Sequence, residues 1–184
     1  GAYAGIFLDP DLGDAVDDLV GVDSSRGMFL VYNADDDDAS YGTPPALGVD
    51  LLSGAASSSF FESVASGPTS DPSTGLEVYY YLQGLWGDGT PKYEFGNGYN
   101  QPQAPVTPWV YPGDPVTGAF WSEVNNDGNG TPNSGGDRRG AIASPEFRIP
   151  PGGTYTFDVG VLFAQGDDYL DSVTELRSVS DAVQ

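Results

Sequence analysis

The apolar positions of this chain fall in short runs separated by long polar stretches. Residues 2–8 (AYAGIFL) and 27–33 (GMFLVYN) read as two strands flanking an acidic loop. In residues 76–86 (LEVYYYLQGLW), Val78, Tyr80 and Leu82 fall on one face, with Glu77, Tyr79, Tyr81 and Gln83 on the other, which predicts a strand. Residues 154–164 (TYTFDVGVLFA) carry the clearest alternation: Tyr155, Phe157, Val159, Val161 and Phe163 against Thr154, Thr156, Asp158 and Gly160. The PPGG at 150–153 supplies a turn ahead of it, and residues 144–149 (SPEFRI) predict a further strand. The period changes only at the end. Leu170, Val173, Leu176, Val179 and Val183 recur at helical spacing, and Ser172 with Glu175 reads as a capping box, so one short helix is expected over 170–183. Strands followed by a single helix predict one mainly β domain over 1–184, a jelly-roll-like β-sandwich closed by that helix.

Between these runs lie residues 53–75, 87–118 and 122–140, rich in Ser, Gly, Pro, Asn and Asp. Loops of this length in a compact domain are as a rule functional or pinned by something, and a bound ion is one such pin.

Composition narrows the chemistry. Across 184 residues there are 27 acids against 6 bases, a net charge of −21. No basic stripe is present to neutralise phosphates, so nucleic acid is not an expected partner. No apolar run approaches a membrane span, so membrane insertion is not expected either. Cys and His are absent, which removes thiol chemistry, disulfides and the commonest general base and metal ligand. Dense acidity suits divalent cations, high salt or simple solubility instead.

The stretch DPDLGDAVDDLVGVD (9–23) concentrates that acidity. Asp9, Asp11, Asp14, Asp17, Asp18 and Asp23 offer oxygen donors at short irregular spacing, the donor set that Ca²⁺ takes. Gly13 stands where an EF-hand needs its third acidic ligand, and no Glu follows at position twelve, so the expected site is a loop between strands. Leu12, Val16, Leu19, Val20 and Val22 thread apolar side chains through the segment and turn it inward, where carboxylates need a counter-charge. Asn125, Asp127 and Asn129, in NNDGNG, form a second candidate with the spacing of an ordinary turn. NADDDD (33–38) reads as a solvated acidic turn. Arg138 and Arg139 are expected to pair with loop carboxylates as structural ion pairs.

Other readings compete. Trp86, Trp109, Trp121 and Tyr99, with Tyr93 and Tyr111, lie in or near loops and are candidate sugar-stacking residues, although such rings are as readily core. A glycosidase needs two carboxylates at a set separation, a condition that some pair among 27 acids always meets. Asn129 opens an N-G-T sequon followed by Pro132, and Ser172 stands in a D-S-V triplet of the kind bacteria O-glycosylate; the helix makes Ser172 a cap instead.

Several stretches in order, DPDLGDAVDDLVGVD, VYNADDDDASYGTPPALGVDLLSG, GLWGDGTP, YPGDP, WSE, GDRR and PGGTYTFDVGVLFAQGDDYLDSVTELRSVSDAVQ, resemble a module of large secreted proteins from bacteria that use type IX secretion. The resemblance covers nearly the whole chain. It departs at Val22, where members usually carry Cys, and in lacking their C-terminal sorting domain, which implies a processed or excised module. It implies an extracellular or cell-surface location and transfers no catalytic residues. The expectation is a non-enzymatic, calcium-stabilised structural module that assembles into a fibre or surface layer, with a carbohydrate-binding module as the alternative. Copies bearing −21 repel, so contact is expected through shared cations or strand exchange at residues 1–8 and 167–184.

Overall fold

The computed structural model describes residues 1–62 and 67–184. In chain order the elements are β1 (Gly5–Leu8), β2 (Asp18–Asp23), β3 (Met28–Asn33), β4 (Ala46–Leu51), β5 (Ser57–Glu62), α1 (Gly75–Leu82), β6 (Lys92–Tyr93), β7 (Val106–Thr107), β8 (Arg138–Ala143), β9 (Val159–Ala164) and α2 (Tyr169–Val183). The chain is mainly β, with antiparallel sheets ordered β2-β3-β4-β9, β1-β8-β5 and β6-β7.

The four-stranded sheet buries side chains on both faces. Val20 and Val22 of β2 lie opposite Val31 and Phe29 of β3, and all four join Leu51, Phe60, Phe61 and Ile142 in one apolar cluster drawn from both larger sheets. The alternate row, Leu19, Met28, Leu30, Tyr32, Leu162 and Ala164, packs with Val173 and Leu176 of α2. At Gly48 a Cβ would sit 2.6 Å from Met28 Sδ and 3.3 Å from Leu176 Cδ1, so the helix approaches where the strand has no side chain. On the other side of the molecule, α1 packs against β5 and β8.

Five sequence expectations are corrected. Residues 76–86 hold most of helix α1 in place of a strand, so the described residues form two helices. Thr74 and Glu77 form a reciprocal capping box that satisfies free amides of the first turn, and Gly84, at φ 78°, follows the last turn. The acidic segment 9–23 is a loop only as far as residue 17, and its second part is the buried strand β2. In 154–164 the strand starts at Val159, and the apolar row is half-buried at Phe157 and Val159 but exposed at its end. Val161 is 71% and Phe163 51% exposed, while Leu162 and Ala164 lie under α2. β9 is the outer strand of its sheet, and there the face opposite the helix is left uncovered. Residues 144–149 make only an isolated bridge, Phe147 to Ala2, because Pro145 and Pro150 remove ladder donors. Finally, α2 is capped by Asp168, whose carboxylate accepts the Leu170 and Asp171 amides. Ser172 is completely buried within the helix.

The long loops are held partly by indoles. Trp86 Nε1 donates to the Gly98 carbonyl at 2.8 Å, and Trp121 Nε1 to the Gly96 carbonyl at 3.0 Å.

Candidate cation-binding site

The loop that opens the acidic segment folds over the start of β8. There Asp9, Asp11 and Asp137 each bring a carboxylate oxygen within 4.8 Å of the others. Asp9 and Asp11 are exposed and Asp137 is half-buried. Arg139 stands among them: its Nε lies 2.7 Å from Asp9, its Nη1 2.5 Å from Asp71 and its Nη2 3.7 Å from Asp137. One guanidinium against the carboxylates of Asp9, Asp11, Asp71 and Asp137 leaves an excess of negative charge. Arg138 turns away to Glu123, which is completely buried.

The remaining loop carboxylates divide. Asp14 accepts the Val16 amide, and its own N–H donates to Asp38. Asp17 and Asp18 lie where the loop enters β2. Burial pushes Asp17 up, and the neighbouring charges of Asp35, Asp14 and Asp38 push the same way against the Asn33 amide. Burial pushes Asp18 up to about 7; the Leu12 N–H opposes, Asp17 and Asp11 add to the rise, and Arg138 pulls back. Asp38 is buried too, but four donors, the N–H groups of Ser40, Tyr41 and Asp14 and the Asn33 amide, outweigh that burial and hold it below the usual carboxylate range.

Asp23 does not join either group. It closes the β2–β3 hairpin, with Arg26 at 2.7 Å and Arg177 at 3.3 Å. Burial raises it, but the Ser25 hydroxyl and the two guanidiniums prevail, and it is lowered. Two arginines already supply its counter-charge, so Asp23 is an ion-pair residue.

Asn125, Asp127 and Asn129 close a turn on themselves. Asp127 Oδ1 accepts the Asn129 and Thr131 amides, its Oδ2 accepts the Thr131 hydroxyl, and these bonds hold it below the usual range. Asn125 is buried, with its oxygen on the Gly130 amide and its nitrogen on the Gly118 carbonyl. Asn129 is exposed.

The aromatic candidates are placed mainly inside. Trp86 and Trp121 are completely buried, Tyr111 is 2% exposed, and Trp109 and Tyr99 are half-buried against the same core. The two buried indoles therefore present no sugar-stacking face. Ser172 is likewise closed to modification, its hydroxyl donating to the Pro44 carbonyl at 2.7 Å.

Asp137, Asn33 and Asp38 carry no local pattern in the sequence that marks them as candidate cation ligands. Asp137 precedes the arginines in GDRRG and was overshadowed by them; Asn33 and Asp38 belong to NADDDD, read as solvated. Among the described residues, no helix is long and apolar enough to cross a membrane. The chain matches no family model, and neither curated proteins nor solved structures give a match.

Proposed function

We propose that this chain is an extracellular, non-enzymatic structural and interaction module, stabilised by calcium and serving as a building block of a self-assembling cell-surface structure or filament. The observation that carries this reading is the convergence of Asp9 and Asp11, from the N-terminal loop, with Asp137, at the start of β8, where Arg139 offsets only part of their charge. A hard divalent ion there ties the N-terminal loop to β8 through oxygen donors alone. The two larger sheets, which share one apolar cluster, are taken as a sandwich of the jelly-roll kind. Assembly is supported by β9, an outer strand without a charged residue that exposes Val161 and Phe163. A second copy is the occupant this surface suits, and calcium lowers the repulsion between two acidic chains. Sedimentation velocity with calcium and with chelator tests the reading, alongside limited proteolysis of residues 9–38. Calcium should protect that segment and shift the chain to larger species; identical cleavage and a monomer in both buffers would refute it.

A carbohydrate-binding role is kept alive by one cleft of about 310 Å³, lined by Asn97, Asn126, Asn133, Tyr111 and Arg138. Asn126 Oδ1 is buried there without a hydrogen-bond partner. Side-chain amides in such a cleft suit the hydroxyls of a neutral sugar. A glycan array with no signal above background would remove this alternative.

A further inference from the structure

Asp18 opens β2 and Asn33 closes β3, and the two are direct partners in the antiparallel register. Both are completely buried. Asp18 Oδ1 and Asn33 Oδ1 each lack a hydrogen-bond partner, and Asp17 Oδ1 next to them is buried and lacks one as well. Buried polar oxygens in native proteins are paired almost without exception, so three together at one strand end point to a ligand that donates to oxygen.

The surroundings narrow that ligand to a cation. Asn33 Nδ2 is shared between Asp17 Oδ2 at 3.3 Å and Asp38 Oδ2 at 3.4 Å, two long bonds from one amide. Asp38 is fixed there by the paired backbone bonds between Asp38 and Gly42. Gly13, at φ 77°, lets the loop backbone lie directly on the Asp38 carboxylate, where any Cβ would collide. The charges that weigh most on Asp17 are those of Asp35, Asp14 and Asp38, all acidic. Arg138 acts on Asp18 from the basic side, and its guanidinium is engaged by Glu123 at 2.9 Å. No lysine or arginine forms an ion pair with Asp17, Asp18 or Asp38 among the described residues. Buried carboxylates left without a counter-charge are expensive, and a metal ion supplies one.

We infer that Asp17, Asp18, Asn33 and Asp38 close on a second, buried divalent cation, Ca²⁺ by donor chemistry, which would draw in carboxylate oxygens that stand farther apart than those of the exposed trio. The donors are all oxygen and irregularly placed, which suits Ca²⁺ and offers nothing to the softer metals that prefer nitrogen or sulfur. Asn33 contributes by a half-turn of its amide, which exchanges the nitrogen now between Asp17 and Asp38 for its unpartnered oxygen. The ion would lock the β2–β3 pair to the 38–42 turn, whereas the exposed trio locks the N-terminal loop to β8. The assignment rests on the calcium-stabilised reading and deepens it with a different set of side chains.

The test is isothermal titration of Ca²⁺ into the chelator-stripped chain, with near-isosteric variants whose folding is checked by circular dichroism. The expected result is two ions per wild-type chain, one lost in Asp18→Asn and in Asp38→Asn, and the other lost in the Asp9→Asn/Asp11→Asn double variant. Asn33→Asp gives a second readout. It adds a carboxylate to a crowded pocket, so it should melt below wild type in chelator and gain more from calcium than wild type does. Wild-type stoichiometry in Asp18→Asn and Asp38→Asn, with the ion lost only from the double variant, would overturn the buried site and leave the proposed function standing. A wild-type chain that takes up no calcium would overturn both.

Discussion

Glu123 and Arg138 form an ion pair at 2.9 Å in which the carboxylate is wholly buried and the guanidinium reaches the surface. Glu123 also accepts the Val20 amide at 3.3 Å, so it ties the long loop before β8 to the free edge of β2. Burial pushes Glu123 up to about 7 against the pull of Arg138, Val20 and Asn133. Removing Arg138 therefore strands a buried acid. Arg138→Met should destabilise the chain by about 3–5 kcal/mol, and Glu123→Gln, which keeps an acceptor for Val20, by less. Urea denaturation of both variants checks the order; an equal or reversed effect would mean that the pair is not what anchors the loop.

Arg139 is the counter-charge of the exposed trio, and its replacement should convert an ion pair into a cation dependence. Arg139→Gln leaves Asp9, Asp11, Asp71 and Asp137 facing one another. Its melting temperature in chelator should fall below wild type, and calcium should recover most of the difference. If calcium raises both proteins equally, the trio holds no ion.

Lys92 is completely buried, with Nζ 2.7 Å from the Ser58 carbonyl and 2.6 Å from Ser59 Oγ. Desolvation lowers it from 10.5 to about 7. Between those values the unfolded chain binds the proton and the folded chain releases it. Stability gained through this group therefore rises with pH across that window, by roughly a few kcal/mol at most. Lys92→Met should flatten the rise. Melting curves from pH 7 to pH 10 in chelator check this, and the prediction fails if wild type and variant show the same slope.

What the sequence made legible was set by period and by range. The terminal helix stood out because its apolar spacing changes from two to between three and four, which no nearby contact contradicts. α1 was hidden because Val78, Tyr80 and Leu82 alternate like a strand and are β-branched or bulky. Its Thr74–Glu77 capping box was nevertheless present in the sequence and outweighs that alternation. β2 was masked by aspartates at both its ends and by burial on both faces, which erases the polar–apolar alternation. For the site, the local run 9–18 supplied several of the side chains. Asp137 reaches Asp9 only through the folding of β8 against β1, and Asn33 meets Asp18 only through strand register. Neither relationship has a signature in local spacing. The ion pairing of Asp23 has no local signature for the same reason, because Arg177 comes to it from near the C-terminal end of the sequence.

Calorimetric melting of the chelated chain, before and after return of calcium, tests most directly whether bound calcium holds this fold. With free calcium at about a hundred times the dissociation constant, each site should add about 2.7 kcal/mol, a rise of roughly 5–10 °C for a domain of this size. Magnesium at the same concentration should give a smaller rise. Superimposable melts in calcium and in chelator would contradict the account.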